Sequence, residues 1–309
     1  MTSIFAARRA LSPAIARLTA AMLRSGRVPG GVKRRIWRWS EHYNNFFPMV
    51  RDVTIPNGMT IRVDTTSIVQ KHLYFFGMWE PAFTRLLLER TERGGTFLDI
   101  GANVGYFTLL ASELFDGVVA IEASPSVFAA LERNVAANGL GHVRLVNQAL
   151  GEAHGTLAFY RHATNDGGSS LIPGQDRAFE AEVAVAPLQA LVTTDELRST
   201  RFVKVDIEGY DHVALRQLIE VVDILPDDVT VLCEYDPTNP ALWPEVERFR
   251  SAGFSLGLLQ GVYDVEAYIV PEARTAIAPV HAPPDAFCDL LMVRGPRAAG
   301  MSDRTKGSP

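Results

Sequence analysis

The chain has 309 residues, of which 47% are hydrophobic and 21% are charged. This is the composition of an ordinary globular protein, and the length suffices for one large α/β core. No stretch approaches the roughly 20 apolar residues that span a bilayer, so we expect no transmembrane segment. Cys233 and Cys288 lie in apolar runs, which favours buried thiols in a reducing, cytoplasmic setting over a disulfide framework.

The formal net charge of −5 is unevenly distributed along the chain. Nine Lys and Arg residues face only Glu41 within the first 50 residues, which leaves the remainder clearly acidic. Nucleic-acid binding usually rests on many Lys and Arg contacts to phosphates. We therefore expect no nucleic-acid partner for the body of this protein.

Residues 1–50 are predicted to form a basic, amphipathic helical extension. Apolar residues recur there at helical spacing, and they are Ile4, Leu11, Ile15, Leu18 and Met22. The predicted helix ends near Gly26, and its apolar face needs cover. We expect it to pack on its own protein or a partner, with peripheral contact to an anionic membrane through residues 4–24 as the alternative.

Residues 51–95 are predicted to form a hairpin and a helix that lead into the core. Two alternating runs flank Asn57-Gly58, the dipeptide that best suits a two-residue type I′ turn. Residues 69–90 then carry apolar side chains at helical spacing, with an aromatic cluster among them. The segment closes on a pair of glycines, which are typical of a helix end.

Residues 96–296 alternate between strands and helices, which predicts a doubly wound, mostly parallel α/β sheet. We expect seven strands, including an antiparallel late one. The seven are drawn from eight strand-like segments, 96–100, 118–122, 143–148, 202–206, 229–235, 254–259, 267–270 and 287–294, of which the last three come late in the domain. Residues 155–188 interrupt the alternation and are interpreted as an inserted hairpin beside the site. Residues 297–309 are predicted to be a disordered tail.

The most informative segment is 97–108, where a buried strand ends, two glycines form a tight loop and a helix begins. Ligands of open α/β sheets bind at this position, beyond the carboxyl ends of the strands. Gly101 and Gly105 allow the backbone to approach a ligand closely, and Asp99 places a carboxylate at the strand end. Glu122 ends the next strand, at about the 20-residue offset at which an acid reaches ribose hydroxyls.

Two classes of ligand suit such a loop, a dinucleotide and S-adenosylmethionine. The spacing G-x-G-x-x-G is absent, and Asp99 would repel the pyrophosphate that a dinucleotide places at the helix N-terminus. S-adenosylmethionine has no phosphate and carries an ammonium and a sulfonium. Asp99 can bond its amino-acid end, directly or through water, and Glu122 can accept the ribose hydroxyls. The charges therefore favour S-adenosylmethionine.

Five segments, in this order, resemble the FkbM-type methyltransferases. They are Asp-Ile-Gly-Ala-Asn-Val-Gly at 99–105, Glu-Ala-Ser-Pro at 122–125, Asn-Gln-Ala-Leu-Gly at 147–151, Ser-Ser-Leu at 169–171 and Val-Lys-Val-Asp-Ile-Glu-Gly at 203–209. The resemblance runs from about Gly77 to the last strand. It implies a Rossmann-like class I methyltransferase fold, S-adenosylmethionine as donor, and O-methylation of sugars, glycolipids or polyketide-like products.

The resemblance also implies roles for individual residues. The predicted cofactor-binding set is Asp99, Gly101, Ala102, Asn103, Gly105, Glu122, Ala123, Asn147 and Ala149. Within this set the glycine loop would line the methionine end, Glu122 the ribose, Ala123 one face of the adenine, and Asn147 with Ala149 the adenine edge. For Asn147 a role as a turn residue stays open.

Acids end two later strands, and they are the candidate catalytic residues Asp206, Glu208 and Glu234. Methyl transfer is an in-line displacement, so the protein must align the acceptor and remove its proton. Each acid is a candidate base, with a purely structural role in the loop as the alternative. Asp206 and Glu234 could also hold Mg²⁺, which we do not favour because no compact set of three ligands is evident.

The candidate acceptor-binding residues are Trp79, Glu80, Ser169 and Ser170. Sugars bind to aromatic faces and to polar groups that meet their hydroxyls, although the rings can equally belong to the core. We expect an O-methyltransferase with a small-molecule or carbohydrate acceptor. Nitrogen methylation and a non-catalytic S-adenosylmethionine-binding or assembly protein are the alternatives, and the oligomeric state stays open.

Overall fold

The computed structural model describes residues 2–44, 48–90, 93–260, 265–269 and 276–295. The strands are β1 (Val50–Thr54), β2 (Thr60–Asp64), β3 (Thr96–Ile100), β4 (Gly117–Ile121), β5 (Val143–Val146), β6 (Ala149–Leu150), β7 (Gly155–His162), β8 (Arg177–Ala186), β9 (Thr200–Val205), β10 (Thr230–Tyr235), β11 (Ser255–Gln260), β12 (Ala276–Pro279) and β13 (Cys288–Val293). The helices are α1 (Thr2–Arg24), α2 (Gly30–Asn44), α3 (Ile68–Phe76), α4 (Pro81–Arg90), α5 (Tyr106–Ala111), α6 (Pro125–Ala137), α7 (Leu188–Leu191), α8 (Thr194–Ser199), α9 (Asp211–Glu220), α10 (Leu242–Ser251) and α11 (Glu266–Ile269). The predicted tail, 297–309, lies outside the described residues.

The central sheet has the strand order β12-β11-β13-β10-β9-β3-β4-β5. Strands β10, β9, β3, β4 and β5 are parallel neighbours, and β13 lies antiparallel between β10 and β11. Alternate side chains of β3 feed two separate apolar cores, Phe97 on one face and Leu98 on the other. The prediction of a doubly wound, mostly parallel sheet with an antiparallel late strand is therefore confirmed.

Two details of the predicted sheet are wrong. Within the described residues the sheet has eight strands instead of seven, because β12 extends one edge. The predicted strand at 267–270 is helical where it is described, since α11 covers Glu266–Ile269. A four-residue apolar run has too little periodicity to separate a strand from a helical turn.

The predicted N-terminal helix is present as α1, but it buries a different face. Ala16, Ala20 and Leu23 are buried, whereas Leu18 is 64% exposed. Small alanines let α1 approach the core closely, and the Arg24 guanidinium donates to the carbonyl oxygens of Leu73 at 3.2 Å and Phe75 at 3.4 Å. Helix α2 follows as an element that the sequence pattern did not single out. No described helix is long and apolar enough to cross a membrane.

The hairpin of β1 and β2 is present with a different turn from the one predicted. The N–H of Gly58 donates to the carbonyl of Ile55, and the N–H of Ile55 donates to that of Met59, both at 2.9 Å. This is a three-residue loop with Gly58 in the left-handed region at φ 87°. Pro56 has no N–H with which to close a two-residue turn, so the loop lengthens by one residue.

The predicted helix at 69–90 is two helices, α3 and α4. Gly77 ends α3 with φ 78°. Pro81 then begins α4, because proline suits the first turn of a helix and not its interior. The break leaves residues 77–80 as a loop between the two helices. Two of the predicted acceptor residues, Trp79 and Glu80, lie in this loop.

The interruption at 155–188 is the hairpin of β7 and β8, which forms a small sheet in the order β6-β8-β7. The loop between these strands contacts two other parts of the molecule. The carbonyl of Thr164 accepts the N–H of Ile68 at 2.9 Å, and the Ser170 hydroxyl donates to the carbonyl of Glu208 at 2.6 Å. The inserted hairpin thus covers the carboxyl ends of the central strands.

Candidate functional site

A cleft of about 590 Å³ lies beyond the carboxyl ends of β3, β4 and β9, with the inserted hairpin as one wall. It is lined by Ile100, Gly101, Asn103, Ile121, Glu122, Ala123, Gln148, Ala149, Leu150, Phe159, Asp166, Gly167, Ser169, Leu171, Asp206, Ile207, Glu208 and Tyr210. Four of these side chains are carboxyl groups, and none of these lining residues is a Lys or Arg. The cleft therefore favours a cationic ligand and disfavours a phosphate.

The glycine loop joins β3 to α5 and to the end of β9. Gly101 has φ 86°, and a Cβ there would lie 1.8 Å from the carbonyl oxygen of Asp206. The N–H of Asp206 donates to the carbonyl of Ile100 at 3.0 Å. Gly101 and Asn103 line the cleft, whereas Ala102 is buried beneath the loop and Gly105 packs against Leu131.

Glu122 holds this loop through its carboxyl group. Its Oε2 accepts the N–H of Asn103 at 2.9 Å, and its Oε1 accepts the N–H of Ser124 at 2.8 Å. Asn103 is in the left-handed region at φ 51°. Burial raises the pKa of Glu122 to about 7, although the two N–H donors oppose that shift. One glutamate thus fixes the loop and also faces the cleft.

Asp99 lies behind the glycine loop and does not line the cleft. Its side chain is fully buried, and its Oδ2 accepts the Thr108 hydroxyl at 2.6 Å. Its Oδ1 has no hydrogen bond from the described residues and lies 4.0 Å from the Nζ of Lys204. Burial raises the pKa of Asp99, and Lys204 opposes that shift.

The third predicted cofactor segment is only partly in the cleft. Ala123 and Ala149 line it, as predicted, and so does Gln148. Asn147 is exposed, and its amide donates to the carbonyls of Glu122 at 2.8 Å and Ala123 at 3.3 Å. This geometry matches the turn role that the sequence left open for Asn147.

The three predicted catalytic acids meet in space. Carboxylate oxygens of Asp206, Glu208 and Glu234 all lie within 4.8 Å of one another. Asp206 and Glu208 line the cleft, and Glu234 stands next to them at the end of β10. Three half-buried carboxyl groups at this spacing form a set of oxygen ligands, so Glu208 joins the pair that the sequence proposed for a metal.

Crowding and burial change the protonation of these acids. Burial, followed by the charge of Asp206, raises the pKa of Glu208 to about 8 and that of Glu234 to about 10. Asp206 differs, because the Lys204 ammonium donates to its Oδ2 at 3.0 Å. Two of the three acids therefore hold an exchangeable proton near neutral pH, and the third has a cationic partner.

The loop that carries Asp206 and Glu208 is held from below. The carboxyl group of Asp211 accepts the N–H groups of Ile207 at 3.0 Å and Gly209 at 3.1 Å. Glu208 itself has φ 47°, and its Oε2 lies 3.7 Å from the Nη2 of Arg177 on the inserted hairpin. The backbone thus aims Glu208 at the cleft in a conformation that a non-glycine residue rarely adopts.

The predicted acceptor residues fall into different places. Glu80 has φ 41°. Burial, followed by the charge of Asp289, raises the pKa of its carboxyl group, and Asp206 adds to that shift, so Glu80 lies near the acidic trio. Trp79 instead packs on other rings, 5.5 Å from His72 and 6.4 Å from Tyr268. Ser169 lines the cleft, whereas Ser170 is buried and holds the Glu208 loop.

Sequence reasoning missed several residues of the site. They are Gln148, Phe159, Leu171, Lys204 and Tyr210. Only Lys204 carried a signal, because a lysine between valines in a buried strand requires a partner for its charge. The others reach the cleft through the tertiary placement of the hairpin and of the loop after β9.

Comparison with known proteins gives the same assignment as the motifs. The family model described as the methyltransferase FkbM domain matches residues 99–256. A search of curated proteins found no match.

Three solved structures illustrate the likeness of fold. The methyltransferase FkbM from Methylobacillus flagellatus KT is 16% identical, with 71% of this chain and 49% of that chain covered and a TM-score of 0.42. A methyltransferase from Pyrococcus furiosus is 16% identical over 70% of this chain and 83% of that one, with a TM-score of 0.39. TYW2 from P. horikoshii, solved in complex with MeSAdo, is 14% identical over 79% and 69%, with a TM-score of 0.40.

These TM-scores are too low to carry an argument. The family model is different, because it matches more than half of the chain, from the acid at the end of β3 into β11. The chain belongs to the FkbM methyltransferase domain family, whose members are S-adenosylmethionine-dependent methyltransferases.

Proposed function

We propose that this protein transfers the methyl group of S-adenosylmethionine to a hydroxyl of a sugar, a glycolipid or another natural product. The observation that carries the proposal is the trio of Asp206, Glu208 and Glu234, whose carboxylate oxygens lie within 4.8 Å of one another; Asp206 and Glu208 line the cleft. A hydroxyl acceptor must lose a proton as it takes the methyl group, so a crowded set of carboxyl groups suits it.

The charge of the cleft suits the proposed cofactor. In our assignment Glu122 accepts the ribose hydroxyls through the remaining lone pairs of its oxygens. Ala123, Gln148 and Ala149 bound the adenine, and Gly101 with Asn103 lines the methionine end. Asp99 acts from behind the loop on the ammonium group, through water. The cofactor supplies a methyl group on a positively charged sulfonium, which the acidic lining attracts.

The three acids take different parts in this proposal. Asp206 is already bonded to Lys204, so it serves as a fixed anion that orients the acceptor. In the protein alone, Glu208 and Glu234 hold their own protons near neutral pH. The positive sulfonium of the bound cofactor favours their ionised form, and either one, once ionised, can take up the proton of the acceptor. Glu80 and Ser169 complete the acceptor side as groups that can bond further hydroxyls.

Calorimetry with S-adenosylmethionine tests the cofactor half of the proposal. We expect binding by the full chain and its loss in a variant that combines Asp99→Ala with Glu122→Ala. Undiminished binding by that variant would remove the cofactor assignment. The variant Glu132→Ala, on the exposed side of α6, is a control that should bind normally.

Turnover tests the acceptor half. Cell extract fractions are incubated with the protein and S-adenosylmethionine, and products that gain one methyl group are identified by mass spectrometry. We expect a methylated hydroxyl compound with the wild-type protein, and little product with Glu208→Gln or Glu234→Gln although both bind cofactor. Methylation on nitrogen, or full activity in both variants, would contradict the proposal.

A further inference from the structure

Helix α2 is fixed to the protein by one of its two faces. Lys33, Trp37 and Ser40 are buried on that inner face. The Trp37 ring lies 5.0 Å from that of His72 and 4.9 Å from that of Phe76. Because the inner face is anchored on α3, the side chains on the opposite face are held towards solvent in a fixed orientation.

The outer face of α2 combines arginines with exposed apolar side chains. It consists of Val32, Arg34, Arg35, Arg38 and Trp39, all of them exposed. Val32 is 42% exposed and Trp39 is 50% exposed. At 100° per residue the arginines form a central stripe, and the two apolar residues lie together along one edge of it. Trp37 and Trp39, two positions apart, therefore have opposite environments.

Most of the arginines on the outer face of α2 and close to it in the chain have no ion-pair partner among the described residues. Arg34 pairs with Glu266 at 2.6 Å, but no described acid lies within ion-pair distance of Arg35 or Arg38. The same holds for Arg17 and Arg27 nearby in the chain. The first 50 residues have nine basic residues and one acidic residue, while the chain as a whole has a net charge of −5. The protein is thus strongly dipolar, with its positive end at the N-terminal helices.

We propose that the outer face of α2 binds the surface of a membrane that contains anionic lipids, with the helix lying in the plane of the headgroups. The arginine stripe complements the lipid phosphates, and Trp39 and Val32 enter the boundary between headgroups and acyl chains. Tryptophan is enriched at that depth because its ring is apolar and its N–H is polar. The contact is peripheral, and it differs from the α1 contact that the sequence suggested.

The apolar edge favours a membrane over a nucleic acid as the partner. A phosphate backbone would meet the arginines but would leave Val32 against charged groups and water. The acidic cleft also offers no basic track along which a nucleic acid could continue, since the residues that line it include four carboxyl groups and no Lys or Arg. A lipid surface matches both the charge and the apolar edge.

Flotation of the full-length protein with vesicles tests the proposal. We expect binding to vesicles of phosphatidylcholine mixed with phosphatidylglycerol, weakening as salt is raised, and little binding to phosphatidylcholine alone. Arg35→Gln with Arg38→Gln should weaken binding roughly 30-fold, at about fivefold for each arginine. Trp39→Ser should weaken it roughly tenfold through the lost apolar contact.

Matched variants elsewhere serve as controls. Arg133→Gln with Arg198→Gln removes the same charge from exposed positions of the body, and Phe179→Ser removes an aromatic side chain that is 60% exposed. Both should bind vesicles as the wild type does, and thermal unfolding checks that all variants are folded. Equal binding to both vesicle types, equal loss in the controls, or tighter binding to duplex nucleic acid than to anionic vesicles would overturn the proposal.

Discussion

The two halves of the cleft use their acids in different ways. On the side of β3 and β4, both oxygens of Glu122 accept backbone N–H groups, at 2.8 and 2.9 Å. On the side of β9 and β10, carboxylate oxygens of Asp206, Glu208 and Glu234 lie within 4.8 Å of one another, and burial, followed by the charge of Asp206, raises the pKa values of the two glutamates. In the first half the carboxylate holds the backbone of the glycine loop, and in the second half three carboxyl groups lie close together.

In the proposed function, this difference gives ligand binding to the first half and proton transfer to the second. A carboxylate that fixes the backbone cannot change its protonation without releasing the loop, so it suits a ligand-binding role. Crowded carboxyl groups share protons, because each proton that leaves adds a negative charge, and that charge raises the pKa of the neighbouring groups. Lys204 adjoins both halves, since its Nζ lies 3.0 Å from Asp206 Oδ2 and 4.0 Å from Asp99 Oδ1.

The largest expected effect is at the junction of the two halves, at Gly101. Gly101→Ala places a Cβ 1.8 Å from the Asp206 carbonyl oxygen at φ 86°. We expect cofactor binding to be lost and the free energy of unfolding to fall by about 5 kcal/mol, the range of severe backbone clashes. Calorimetry and denaturant unfolding measure the two effects.

Gly139 provides the matched control for Gly101. It has φ 66° but no heavy atom within 4 Å of an added Cβ. Gly139→Ala should therefore cost only the left-handed conformation, about 1–2 kcal/mol, and leave cofactor affinity unchanged. If the two alanine variants lose equal stability, backbone contact between the halves is not what requires Gly101.

Removal of the shared cation should come next in size. Lys204→Met leaves Asp99 and Asp206 without their buried partner, so we expect the free energy of unfolding to fall by about 3 kcal/mol near neutral pH. The loss should shrink in acid, where Asp99, whose pKa is raised by burial, takes up a proton. Lys71→Met, on α3, should change stability by less than about 0.5 kcal/mol. A loss at Lys204 that is independent of pH would show that packing, and not charge, is its contribution.

The half of the cleft at β3 and β4 could largely be predicted from the chain, and the half at β9 and β10 only in part. The strand, glycine loop and acid of 97–122 are adjacent in sequence, so local rules brought Gly101, Asn103 and Glu122 together, and all three line the cleft. Parallel topology also brought Asp206 and Glu234 together. Which side chains of the inserted hairpin line the cleft depends on tertiary packing, and Phe159 and Leu171 were missed for that reason.

Two further features of the structure could not be predicted from residue type or spacing. Trp79 is a candidate for the acceptor because it is aromatic, and its ring lies 5.5 Å from that of His72 and 6.4 Å from that of Tyr268. Likewise, apolar spacing in α1 did not reveal that alanines would face the core. Periodicity identifies a helix but does not fix which face is covered when small residues permit closer packing.

Glu122→Gln tests whether binding resides in the cofactor half. The amide keeps one acceptor oxygen but turns an NH₂ towards a backbone N–H, so one of the two bonds that fix the loop is lost. We expect cofactor affinity to fall roughly tenfold, in line with about 1.5 kcal/mol for a bond to a charged group. Glu180→Gln is the control, since Glu180 bonds the Ser124 hydroxyl at 2.8 Å but does not line the cleft. Equal losses would place the effect in the 122–126 turn as a whole.

The smallest effect concerns Glu208 in the acceptor half, and its sign is the opposite of the others. Its pKa is raised from 4.5 to about 8, so between those pH values the folded protein keeps a proton that the unfolded chain releases. Stability is therefore lost as pH rises through that window, and Glu208→Gln removes the loss. We expect the variant to match the wild type below pH 4.5 and to exceed it by about 1 kcal/mol above pH 8, a value reduced because water screens a half-buried group. Thermal unfolding across this pH range measures the divergence. Parallel curves would mean that the acids of the acceptor half are not crowded enough to compete for protons. The two halves of the cleft would then not differ in the protonation of their acids.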